Sequence, residues 1–185
     1  VRDRYSQGIF LSLGEVFLRA YYKIILDDPN EIVVCAVNSK DTIVGFSSGS
    51  LDARSQADSI RKHKMRLGFA AVLGMIRHPS YIKAVWQRYT SLKPSTDRKF
   101  IHMEGARSEY LCWNKDEPGS ISMMLLDKIK FKMMHELGIN EVYFEIDRQN
   151  ERIFNAQLKM KDITLVDEYE LPDGRRRGLF KKILK

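Results

Sequence analysis

The stretch from Lys99 to Asp147 constrains this chain more than any other part. Between Arg107 and Trp113, Arg107, Glu109, Leu111 and Trp113 alternate with Ser108, Tyr110 and Cys112. That is the period of an extended strand, predicted over residues 99–113 with a bend at Gly105. Asn114 to Gly119 is a polar loop. Ser120 to Leu137 then carries Ile121, Met124, Leu125, Ile129 and Met133 at helical spacing, which predicts a helix with those residues as its buried stripe. Gly138 follows where a helix C′ residue belongs, and Glu141 to Asp147 alternates again as a strand. Strand, helix and strand at these lengths imply a parallel pair joined by a right-handed crossover.

The flanking segments supply antiparallel ends for that unit. Upstream, Phe17, Tyr21, Ile24 and Ile25 mark a helix from Gly14 to Leu26, stopped by Asp27-Asp28-Pro29-Asn30. Ile32 to Val37 and Thr42 to Phe46, joined by Asn38-Ser39-Lys40-Asp41, read as a hairpin. Residues 55–92 predict a helical insert. Gly68 and Gly74 interrupt it and His78-Pro79 breaks it; Leu67, Phe69, Val72, Leu73 and Ile76, then Ile82, Val85, Trp86 and Tyr89, are its expected buried residues. Lys93 to Asp97 is a loop. Downstream come a helix from Glu151 to Met160, a strand from Ile163 to Leu171, a Pro172-Asp173-Gly174 turn and a last strand from Arg176 to Leu184. The expectation is one α/β (α+β) domain over residues 1–185. Its sheet is mixed and mostly antiparallel, with a central parallel crossover and helices on both faces.

Charge and composition narrow the partners without choosing one. The net charge is +7 and the pI about 9.4, so anionic partners are favoured. The aromatics are dispersed through apolar runs and not interleaved with Lys and Arg, which argues against nucleic acid. No apolar run approaches the ~18 residues of a membrane span. Cys35 and Cys112 sit inside apolar runs and read as reduced structural residues, which suits the cytoplasm. The four histidines show no metal-ligand spacing, so no metal site is expected. The run Arg61-Lys62-His63-Lys64-Met65-Arg66 is either a solvated helix face or a binding patch for anionic lipid, nucleic acid or a nucleotide-linked sugar. Arg175-Arg176-Arg177 reads as an exposed hairpin base, or as a reach toward a phosphate.

The element order and several phrases resemble the GNAT superfamily of N-acetyltransferases, from Phe10 to nearly the end. IVGFSSGSLD (Ile43 to Asp52) looks like the family's hairpin return. YLCW, a polar loop and ISMMLLDKIKFKMMHELG look like its central strand, pyrophosphate loop and long helix. EVYFEIDRQNERIFNAQLKMKDI and GRRRGLFKKIL resemble the later elements. FLSLGEVFLRAYYKIIL, with the insert after SGSLD, is similar to a subgroup associated with bacterial surface-sugar biosynthesis. No usual first strand is visible before Tyr5, and the chain opens on Val1 and not Met, so a missing native start is expected.

The resemblance implies acetyl-coenzyme A as cosubstrate. Leu111, Cys112 and Trp113 would contact its pantetheine arm as an added strand does. Glu117, Pro118, Gly119, Ser120, Ile121 and Ser122 would cradle its pyrophosphate at the helix start, and Asn150 falls at the family's strand-end asparagine. Three departures stand out. The family's Gln/Arg-x-x-Gly-x-Gly/Ala becomes Glu117-Pro118-Gly119-Ser120-Ile121-Ser122, which brings an acid, removes one amide donor and replaces two glycines. Gln157 stands where a proton-donating tyrosine is common, leaving water or another donor, Tyr143 or Tyr110, as alternatives. Arg107 stands where many members carry the glutamate base.

Glu109, two residues on, is the candidate general base, on the assumption that period two puts it on the same side as Arg107. Its alternative is a sheet-face carboxylate paired with Arg107. His102 and Glu104 are weaker candidates, and Glu145 and Asp147 read as surface or framework charges. The implied activity is transfer of an acetyl group to the primary amine of a small molecule, an amino sugar or nucleotide-linked amino sugar being favoured. A protein or peptide amine is the next acceptor, and a binding or assembly module that has lost catalysis is the alternative class. The helical insert and the first helix, with Tyr21, Tyr22 and Arg54, would line the acceptor side. A homodimer is left open.

Overall fold

The structure is a computed structural model that describes residues 13–77, 104–114, 116–117, 120–171 and 174–185, with backbone alone for residues 77 and 120–122. The chain divides into two compact units, Val1–Pro29 with Ser55–Lys99, and Asn30–Arg54 with Phe100–Lys185. The expected residues Ile82, Val85, Trp86 and Tyr89, the loop at 93–97 and the start of the strand at 99–103 lie outside the described residues.

In the first unit, helix α1 (Gly14–Asp27) buries Phe17, Tyr21, Ile24 and Ile25, the stripe its spacing predicts. Helix α2 spans Ala53–Lys62 and α3 spans Lys64–Arg77. Helix α3 packs along α1, burying Leu67 and Ala70. Gly74 sits so close that a Cβ there would meet the Leu13 carbonyl oxygen at 2.1 Å. This close approach uses the narrow side of α3. The expectation that Phe69, Val72, Leu73 and Ile76 are buried is therefore wrong: all of them are exposed.

The second unit is a six-stranded sheet ordered β1-β2-β3-β4-β6-β5. Its strands are β1 (Glu31–Val37), β2 (Ile43–Ser50), β3 (Ala106–Trp113), β4 (Glu141–Asp147), β5 (Ile163–Glu170) and β6 (Arg176–Ile183). Among the described residues, only β3 and β4 are parallel; the other pairs are antiparallel. The mixed, mostly antiparallel sheet with one parallel crossover is the class the sequence predicts. The crossover helix is α4 (Ser120–Glu136), and α5 (Glu151–Leu158) follows β4. Gly138 takes φ +88°, and the Ile139 amide bonds back to the Met134 carbonyl, closing α4 as its C′ position requires.

Both helices of this unit lie on one face of the sheet. Met134 of α4 packs with Ile32, Ala106, Val142 and Leu184. Phe154 of α5 meets Phe180 edge-on, and Phe180 stacks on Phe144, which shares a face with Val142 because strands alternate. Gly178 allows that closeness, since a Cβ there would stand 2.6 Å from the Phe154 ring.

The stripe predicted for α4 is a second correction. Met124, Leu125, Ile129 and Met133 are exposed, and the helix buries Leu126, Lys130 and Met134 instead; the side chain of Ile121 is outside the described residues. Helix α4 is apolar on nearly every side, so spacing alone could not fix its rotation. A buried charge pair decides it.

Candidate functional site

The parallel pair is short. β3 and β4 pair at Ala106↔Val142 and Arg107↔Tyr143. Beyond that point β3 stays with β2 as far as Trp113, while β4 stays with β6 as far as Asp147. The two strands therefore part. Among the described residues, no strand pairs with the β4-facing edge of β3 after Arg107, so that edge offers backbone amides and carbonyls.

A bulge lies where the strands part. Ser48 pairs with Tyr110 and Gly49 with Ser108, which leaves Glu109 as an extra residue on β3. Gly49 permits the tight contact: a Cβ on it would fall 2.5 Å from the Arg107 carbonyl oxygen. Arg107 and Tyr110, three residues apart, consequently share the face away from α4, while Ser108 points to α4. At the bulge, period two no longer fixes the side of Glu109. Its carboxylate acts on both the Lys130 ammonium and the Tyr110 phenol, and Arg107 reaches Glu145 at 3.4 Å.

Beneath the bulge, α4 supplies a polar pin. The Lys130 side chain is 0% exposed. Its Nζ donates to Asp127 Oδ1 and to Ser108 Oγ, each at 2.6 Å, and to the Ser48 carbonyl at 3.4 Å. Asp127 also accepts from Ser47 Oγ at 3.0 Å. Burial lowers the pKa of Lys130, against the upward pull of Asp127 and Glu109. One ammonium thus ties β2 to β3 on both sides of the register slip. Burying it is tolerable only because every proton-bearing direction finds an acceptor.

On the opposite face a second cluster forms around Glu145, whose side chain is 8% exposed. Arg107 Nη2 reaches Glu145 Oε1 at 3.4 Å, and Arg177 Nη1 reaches Oε2 at 3.0 Å. Glu145 is thus a framework charge and no surface one. Nearby, Arg175 is mostly covered against Asp147 at 3.2 Å, so only Arg176 of the arginine run is the exposed residue the sequence suggests. Burial, with Glu109 adding, pushes the Tyr110 phenol up to about 12, against Arg107 and Arg177. Tyr169 is likewise raised by burial and by the facing Glu145 carboxylate. Its hydroxyl is turned to that carboxylate, and Ser48 Oγ is buried without a partner in hydrogen-bonding geometry.

The remaining candidates gather at the other end of β3. Leu111, Cys112 and Trp113 form the stretch that runs past the parting point. Burial raises the Cys112 thiol, which makes it a poor nucleophile. The Trp113 indole donates to the Glu117 carbonyl at 3.1 Å, its ring occupying space that only Gly45 leaves free. Asn38 Nδ2 donates to the Glu117 carboxylate at 3.1 Å, so the acid that breaks the family pattern is held by the β1–β2 turn. Pro118 and Gly119 lie outside the described residues. Ser120, Ile121 and Ser122 open α4, whose first backbone amides have no partner within the helix. Asn150 opens α5 without a side-chain capping bond. Tyr21 is buried within α1's packing, Arg54 is exposed opposite Glu104 at 3.6 Å, and His102 is outside the described residues.

Sequence reasoning missed Lys130 and Asp127, and read Glu145 as a surface or framework charge without its two arginine contacts. A signal for the pin was present: Asp127 and Lys130 are one helical turn apart in an otherwise apolar helix, and β2 carries Ser47, Ser48 and Ser50 where a core strand would be apolar.

No family model and no curated protein matches the sequence. Solved structures do. SsHAT superposes with a TM-score of 0.52 at 15% identity, over 92% of this chain and 81% of that one. Nourseothricin acetyltransferase gives 0.49 at 12% identity over 86% and 68%. The spermidine/spermine N-acetyltransferase SpeG from Vibrio cholerae gives 0.49 at 7% identity over 90% and 72%. At these identities the likeness to SsHAT carries the fold.

Proposed function

We propose that the chain is an acetyl-coenzyme A-dependent N-acetyltransferase. The observation that carries this reading is the parting of β3 from β4 after Arg107. It leaves one strand edge open beside the start of a 17-residue helix, an arrangement that fits an extended pantetheine arm and its pyrophosphate. Leu111, Cys112 and Trp113 hold the arm. The opening of α4, from Glu117 to Ser122, receives the phosphates; the bond from Asn38 draws the Glu117 charge aside. Asn150 borders the far side. When bound, the coenzyme supplies an acetyl group activated as a thioester.

The chain's own groups then have divided tasks. Glu109, the extra residue of the bulge on β3, takes the proton from the acceptor amine. Tyr110 stays protonated at all ordinary pH and is suited to return a proton to the departing thiolate, the task Gln157 cannot perform. Glu145, clamped between Arg107 and Arg177, fixes the wall of the wedge. The acceptor we favour is an amino sugar or nucleotide-linked amino sugar, on the strength of the sequence resemblance alone, and the compartment is the cytoplasm.

Calorimetric titration with acetyl-coenzyme A tests the reading. Binding with a raised melting temperature is expected, because a ligand of the folded state stabilises it. No heat and no shift at millimolar coenzyme would overturn it in favour of a binding module. Given binding, Glu109→Gln should keep coenzyme affinity and lose turnover of the amine by roughly 10²–10⁴-fold, the usual worth of a general base.

A further inference from the structure

We propose that the exposed face of α3 is a docking surface for an anionic lipid bilayer. The inference rests on the helical unit alone and does not depend on acyl transfer. At about 100° per residue, Met65, Phe69, Val72, Leu73 and Ile76 fall within one arc of roughly 100°. All five are exposed, Met65 at 80% and Phe69 and Ile76 at 68% each. The opposite side, with Leu67, Ala70 and Gly74, is the one spent on the fold. Among the described residues, nothing stands within 4 Å of a Cβ built on Gly68.

Charge selects the occupant. Lys64 and Arg66 flank the apolar arc on its two sides, and α3 contains no acidic residue. Arg61 and Lys62 stand in the last turn of α2; Asp58 lies 3.7 Å from Arg61 and leaves Lys62, Lys64 and Arg66 to act outward. An apolar stripe edged by lysine and arginine is the pattern of a helix lying in a bilayer interface. A second copy of the chain would bring two like-charged clusters together, which a lipid surface of opposite sign does not. No helix among the described residues is long and apolar enough to span a membrane. The 14 residues of α3 would lie along the surface for about 21 Å.

The test is co-sedimentation of the full chain with vesicles of phosphatidylcholine alone and of phosphatidylcholine mixed with phosphatidylglycerol. Binding to the mixed vesicles only, weakened by added salt, is expected. The triple variant Lys62→Gln/Lys64→Gln/Arg66→Gln should lose affinity by roughly a hundredfold. The variant Phe69→Glu/Ile76→Glu should lose binding altogether, with an unchanged circular dichroism spectrum because both positions are exposed. The proposal is overturned if the mixed vesicles are not bound, or if both variants bind as well as the parent. It is also overturned if lipid-free sedimentation shows a dimer that Phe69→Glu/Ile76→Glu separates, or if an oligonucleotide is bound as tightly as the vesicles.

Discussion

Helices α4 and α5 lie on the same face of one sheet, and only α4 adds a charged pin to its apolar contacts. Helix α5 is held by Phe154, fully buried against Phe180 and Gly178. Helix α4 is held at its middle by Lys130 and Asp127, reaching Ser47, Ser48 and Ser108, with Leu126 and Met134 as its buried apolar residues. The half under α5 is a closed antiparallel ladder with seven paired positions between β4 and β6. The half under α4 contains the bulge and the parting of β3 from β4. Apolar packing is tolerant of small shifts, whereas charged hydrogen bonds fix distance and direction. The regular half is thus joined by the less exacting contact, and the half that must hold an irregular strand in place is pinned.

The largest expected effect tests the closed half. Phe154→Ala should cost about 4 kcal/mol in denaturant-derived stability, the ordinary cost of emptying a well-packed aromatic site. Coenzyme binding by the molecules that remain folded should stay as it was. A loss of affinity together with the loss of stability would show that the two halves are not separable in this way.

The pinned half should behave differently. Asp127→Ala strands a buried ammonium and should cost about 3 kcal/mol, whereas Asp127→Leu/Lys130→Met, which removes both charges, should recover most of that. If specificity is what the pin provides, the double variant regains stability but not order. Amide exchange at Ser108, Glu109 and Tyr110 should then be faster than in the parent, a change that stability alone would not produce. Equal protection in the two proteins would mean that the bulge holds its shape without the pin.

The same contrast explains which parts were legible in the sequence. The sequence located each strand of the sheet and both of its helices, because a strand's alternation and Gly138 at a helix end are local signals, though β2 runs to Ser50, past the expected Phe46, and β3 begins only at Ala106. The rotation of α4 was illegible: with Met124, Leu125, Leu126, Ile129, Met133 and Met134 scattered around the helix, no stripe stands out, and the deciding group is a lysine. The side of Glu109 was illegible for another reason. A bulge is a property of two strands together, and β3 read by itself alternates perfectly. In α3 the packing side is chosen by Gly74 and Ala70, whose small size matters only once α1 is present.

Alkaline pH offers the smallest and most local test of the wedge face. The Tyr110 phenol in the folded chain is pushed up to about 12 from its usual 10, burial being the first cause. Below pH 10 it is protonated in both states and contributes nothing to the pH dependence. Between 10 and 12 the unfolded chain gives up this proton while the folded chain keeps it, so stability falls as pH rises. The fall assignable to Tyr110 should be up to about 2 kcal/mol, allowing for partial exposure of the ring. Tyr169 acts in the same direction. Lys130 acts in the opposite one, since its lowered value means that the folded chain holds fewer protons than the unfolded chain until the latter also deprotonates. The parent's total is therefore a mixture, and the informative quantity is the difference between the parent and Tyr110→Phe, measured by urea unfolding at steps from pH 9 to 12. That difference should grow through the window while coenzyme affinity at neutral pH is unchanged. A flat difference would mean that Tyr110 is open to water, and the wedge face would lose the dry wall on which its proton-donating role depends.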